Sequence, residues 1–206
     1  MSFLKSFLSY VVEEGTEEFK KFLKDKQDDD YYLNLGYSYS SSGKTIKAIE
    51  SYRKAIEKDP KSSEAYLGLG LEYYFSENYA KAIENYKMAI AIDPEFAFAY
   101  DGLASAYYDI DSMDEAIKNY KKSIEINPDS TDPYCGLATI YYESGLMDEA
   151  IKNYKKAIET RPEFAFAYDR LALIYYELGL RDEAIKNYKM AKKIDPKIVS
   201  ACDGLE

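Results

Sequence analysis

Apolar residues recur along this chain in two alternating stripes. The first stripe steps by three and four residues, as in Tyr32, Leu35 and Tyr39; the second follows as Ala48, Tyr52 and Ala55. Each spacing is one face of an α-helix. The pair returns at a fixed interval of 34 residues, for example as Tyr134, Leu137 and Tyr141 with Ala150, Tyr154 and Ala157. Five copies are expected, at 29–62, 63–96, 97–130, 131–164 and 165–198. A period of this length is the mark of stacked supersecondary units, each burying its face against the next. The most regular stretch is Asp148 to Glu159, DEAIKNYKKAIE, whose first nine residues return from Asp114 and first eight from Asp182.

The residues between the stripes agree with two helices per copy. Gly43, Gly145 and Gly179 stand where a first helix should stop in the left-handed region. Asp114, Asp148 and Asp182 suit the positive end of a second helix. Pro60, Pro94, Pro128, Pro162 and Pro196 end that helix, because the residue before proline avoids the helical region. Small residues such as Gly36, Gly70, Ala104, Ala138 and Ala172 let neighbouring backbones approach, and tyrosines fill the space this leaves.

This pattern resembles the tetratricopeptide repeat (TPR) family, W/Y-x2-L-G/A-x2-Y, then A-x3-F/Y-x2-A, then proline. Tyrosine replaces the frequent tryptophan at the fourth position, and Ser123 replaces one alanine. The resemblance implies an all-α fold, a right-handed superhelical α-solenoid of antiparallel helix pairs with the first helices on its concave face. Residues 1–28 are expected to form an N-terminal amphipathic helical cap, with Phe3, Leu4, Phe7, Leu8, Val11 and Val12 on one stripe. After Pro196 the pattern restarts, so 199–206 read as a truncated C-terminal capping helix.

On that concave face, positions 2, 5, 6, 9, 12 and 13 of each repeat are expected to meet a ligand. The candidate peptide-binding residues are Tyr74, Phe98, Asp101, Tyr108, Asp109, Tyr142, Phe166, Asp169, Arg170 and Tyr176. Tyrosine rings among carboxylates suit a basic peptide, through cation–π contacts and ion pairs. Gly68, Gly102 and Gly136 share one phase of the first helix. They either relieve crowding beside tyrosines or leave room for a ligand backbone, at about 0.8–1.0 kcal/mol each relative to alanine. The segment EFAFAYD occurs at Glu95–Asp101 and at Glu163–Asp169. Phe96 and Phe164 are expected to pack; Phe98 and Phe166 are expected at the groove edge. The chaperone-type carboxylate clamp of the family is absent, since only Arg170 agrees with it.

Composition narrows the function further. The net charge is −10, which argues against nucleic acid and anionic lipid as partners. No apolar run is long enough to span a membrane. Histidine is absent and there are two cysteines, so the usual general base and zinc sites are missing. No nucleophile stands beside a base and no phosphate loop is present. An enzyme, a metal site and a cofactor are therefore not expected, and free thiols suit the cytoplasm. The expected role is an interaction scaffold for a protein or peptide. The alternative is self-assembly into a homo-oligomer through the groove or the N-terminal helix. In outline, five repeats behind a helical element resemble the MamA proteins of the same family.

Overall fold

The computed structural model describes residues 31–198, with Ser200 and Cys202. The expected cap over 1–28 and the expected helix over 199–206 lie outside the described residues, those two positions aside. Ten α-helices and no strands occur among the described residues. They are α1 Tyr31–Ser41, α2 Thr45–Lys58, α3 Ser63–Phe75, α4 Tyr79–Ile92, α5 Ala97–Asp109, α6 Met113–Ile126, α7 Asp132–Glu143, α8 Met147–Thr160, α9 Ala165–Glu177 and α10 Arg181–Ile194. The chain divides into two compact units, with the boundary after Ala106 within α5. In the first, α1 packs on α2, α2 on α3 and α3 on α4; in the second, α6 packs on α7, α7 on α8, α8 on α9 and α9 on α10.

The turn within each pair is closed by one residue in the left-handed region. Gly43, Gly145 and Gly179 take this role with φ of 66°, 75° and 73°. Glu77 and Asp111 take it in the other two turns, at φ 57° and 63°. The backbone bonds are the same either way. Gly145 N–H donates to Tyr142 and Leu146 N–H to Tyr141, at 2.9 and 2.8 Å; Glu77 and Asn78 donate to Tyr74 and Tyr73, both at 2.8 Å. This pattern satisfies carbonyls the helix end would otherwise orphan.

The turn between pairs is built before the proline. Asp59, Asp93 and Asp195 leave the helix in extended conformation. Their carboxylates accept from the backbone N–H two residues on, at 2.9, 3.0 and 2.9 Å. The core runs along the small residues and the tyrosines between them. Tyr52, Tyr86 and Tyr154 are buried against alanines that are themselves fully covered, such as Ala48, Ala82 and Ala150. In the second unit Tyr154, Ala138, Ala167, Leu171 and Ile174 form one cluster.

Candidate peptide-binding face

In the first unit, α3 and α5 enclose a cleft of about 190 Å³. Leu67, Leu71, Tyr74 and Phe75 line it from α3, and Phe98, Asp101, Gly102 and Ser105 from α5, with Tyr86 also in the lining. Phe75 and Phe98 remain 75% and 62% exposed, an unusual state for large apolar rings. The edge-on stack of Tyr74 against Phe75, centroids 5.6 Å apart, holds the two rings side by side. The Tyr86 ring is fully buried, and its hydroxyl has no hydrogen-bond partner. Burial pushes that hydroxyl well above the ordinary phenol range, with the charges of Tyr74 and Asp101 adding to it. It is therefore a neutral O–H at neutral pH.

The second unit treats the same helical positions differently. Tyr108 donates to Glu143 and Tyr142 donates to Glu177, each at 2.7 Å, each from one first helix to the next. Burial and then the Glu143 bond raise the Tyr108 hydroxyl, and the Glu177 bond chiefly raises that of Tyr142. Two candidate ligand contacts thus serve as links between successive repeats. Arg170 donates through Nη2 and Nε to Asp169, at 2.7 and 3.2 Å, with its guanidinium 5.2 Å from the centre of the Phe166 ring. Asp169 departs from the expected open acidic wall. It is 1% exposed, one oxygen is held by Arg170 and the other has no partner. A buried carboxylate needs a cation beside it, and the next residue in the chain supplies one. Phe166 is 41% exposed and leans on Tyr154 and Phe164. Asp109 and Tyr176 lie on the surface.

The glycines resolve in favour of packing. A Cβ on Gly68 would stand 2.5 Å from the Tyr52 ring, one on Gly102 2.7 Å from Tyr86, and one on Gly136 2.3 Å from Tyr120. The space they leave is occupied by tyrosine. Gly36 and Gly70 face the same two rings, at 2.4 Å from Tyr52 and 2.5 Å from Tyr86, so each of these rings lies against two glycines.

Two features escaped the sequence reading. One is the unpartnered Tyr86 hydroxyl. Its counterpart Tyr154 meets Thr139 Oγ1 at 3.0 Å, and that bond lies behind the Tyr154 hydroxyl being raised only to about 12 by burial. Leu71 occupies the repeat position of Thr139, a signal the sequence does carry. The other is the left-handed pair Glu77 and Asp111, which no residue type announces.

Helix pairs of this kind, with a small-residue seam and a face of exposed rings, define a helical-repeat interaction protein. The particular family follows from comparison. The model of the TPR repeat matches residues 36–75, 104–145 and 138–179, and tetratricopeptide repeat models match 63–96 and 165–198. The chain belongs to the tetratricopeptide repeat family, and its fold is an all-α TPR solenoid. Two crystal structures of MamA are similar to it. One is 34% identical, with 82% of this chain and 92% of that chain covered and a TM-score of 0.68. The other is 35% identical, covering 79% and 95% with a TM-score of 0.69. The crystal structure of YrrB, described as a TPR protein with an unusual peptide-binding site, shares the fold at 24% identity, covering 88% and 94% with a TM-score of 0.65. No curated protein matches. No group of residues able to hold a metal occurs among the described residues, and no helix there is long and apolar enough to cross a membrane.

Proposed function

We propose that this protein is a non-enzymatic, cytoplasmic scaffold that binds a peptide or partner helix on the tyrosine-bearing face of its first helices. The observation that carries this reading is the cleft between α3 and α5, where Phe75 and Phe98 stay 75% and 62% exposed. Groove-face carboxylates such as Asp101 and Asp109, and an overall charge of −10, favour a basic partner. A displayed peptide library panned on the full chain tests the reading, followed by titration calorimetry on the selected peptides. The combined variant Asp101→Asn, Tyr108→Phe, Tyr142→Phe should weaken binding; unchanged affinity would sink the groove assignment.

A second reading, self-association, is favoured by the likeness to MamA over most of the chain. Light scattering across concentrations decides it, because a strict monomer at all concentrations rules it out.

A further inference from the structure

We infer that the cleft between α3 and α5 is an anchor subsite for one basic side chain of the partner, an arginine or lysine whose head reaches the Tyr86 hydroxyl and Asp101. This rests on the peptide-binding reading above and names what that peptide must carry.

The first support is the orphan hydroxyl. A buried hydroxyl with no partner is costly and rare in native proteins, and an incoming N–H would supply one to its oxygen. Repeat four shows how this chain otherwise deals with the same tyrosine: Thr139 sits 3.0 Å from the Tyr154 hydroxyl. In repeat two the position holds Leu71, which lines the cleft and offers no polar atom. Leu71 thus gives the cleft an apolar wall and leaves the Tyr86 hydroxyl without the kind of partner that Thr139 supplies to Tyr154. Local departures of this kind concentrate at functional sites.

The second support is the chemistry of the walls. Leu67, Leu71 and Phe98 suit the aliphatic stem of a long side chain. Tyr74 presents an aromatic ring to a cation. The lining contains Asp101 and no lysine or arginine. Asp101 sends enough negative charge to Tyr86 to help raise its hydroxyl. A cation entering there gains a carboxylate and donates an N–H to the Tyr86 oxygen. A carboxylate entering the same cleft meets Asp101 and is repelled. The cleft, about 190 Å³, has room for one side chain and not for a drug-sized molecule.

The test uses the full chain with methyl-labelled leucines, observed by NMR. The probes are acetyl-arginine methylamide, acetyl-leucine methylamide and acetyl-glutamate methylamide. The arginine probe should shift the Leu67 and Leu71 methyls saturably, and the glutamate probe should leave them still. Asp101→Asn should weaken the arginine probe about tenfold, the scale of one lost charge partner. Leu71→Thr should give the Tyr86 hydroxyl the bond that Thr139 makes in repeat four and strip the cleft of an apolar wall, weakening the shift at Leu67 while helix content by circular dichroism is kept. Equal binding of the leucine and arginine probes overturns the basic anchor. Library peptides that bind but ignore both Leu71→Thr and Asp101→Asn overturn the cleft assignment and leave the scaffold reading standing. A library that returns no binder overturns both.

Discussion

Replacing Gly68 by alanine separates the two roles a helical glycine can have on this face. If the glycine made room for a ligand, alanine would stabilise the free protein by the helix propensity it restores, about 1 kcal/mol. The structure puts the Tyr52 ring in that room, 2.5 Å from the new Cβ. The ring cannot move toward Gly36, whose own Cβ position lies 2.4 Å from it. Overpacking of this kind costs about 1–3 kcal/mol, and a ring hemmed in on two sides belongs at the upper end. Arg170 shows that a Cβ is tolerated at the equivalent position in repeat five, so the helices can shift to admit one. Subtracting the propensity gain from about 2–3 kcal/mol of strain leaves a net loss of about 1–2 kcal/mol. At roughly 3 °C per kcal/mol the melting temperature should fall by about 3–6 °C. Circular dichroism at 222 nm reads it. The control is Gly68→Ala in a Tyr52→Leu background, where the clash is gone and alanine should stabilise. A rise in melting temperature for Gly68→Ala alone would refute the packing account.

Glu77→Gly and Asp111→Gly should each stabilise the fold by about 1 kcal/mol, since a side chain in the left-handed region costs about 1–2 kcal/mol; urea unfolding measures it, and a loss at either site counts against the strain. Tyr142→Phe removes one exposed bond to Glu177 and should cost about 0.5–1 kcal/mol in the same assay. The raised hydroxyls of Tyr108, Tyr142 and Tyr154 mean that the folded state holds protons the unfolded chain releases near the ordinary value of 10.0. That stabilisation is complete below pH 10 and is lost as pH rises through the folded values, about 12 for Tyr154, so alkaline unfolding should be accompanied by late phenolate absorbance at 295 nm. Cys135 and Cys202 are buried thiols and should react with a disulfide reagent only once the chain is unfolded.

The architecture was legible because it is written in period and residue size. Alanine at one spacing and tyrosine at the next state which face packs, and the proline states where each pair ends. The candidate site was legible only as a face. Position within the repeat assigned Tyr74, Phe98 and Asp101 to the concave face, and all three line the cleft. It could not say that Tyr108 and Tyr142 are donors to Glu143 and Glu177, because that depends on the rise from one repeat to the next. Nor could it say that Asp169 turns inward, since Asp101 stands at the same phase and lines the cleft. The difference lies in the neighbours: Arg170 follows Asp169 and neutralises it, whereas Gly102 follows Asp101 and supplies no charge.

These contrasts redistribute the binding chemistry along the chain. In the second unit the polar groups of the face are largely spent on the protein itself, with tyrosine paired to glutamate and aspartate to arginine. A ligand there must displace an existing bond before it gains one, so the net return is small. In the first unit the face keeps an unsatisfied hydroxyl and two exposed phenylalanines, and a ligand gains contacts without breaking any at Tyr86. In repeats four and five the face is therefore held by its own bonds. Helices α3 and α5, where Leu71 stands at the position of Thr139 and Phe75 at that of Glu143, hold the groups that would select a partner.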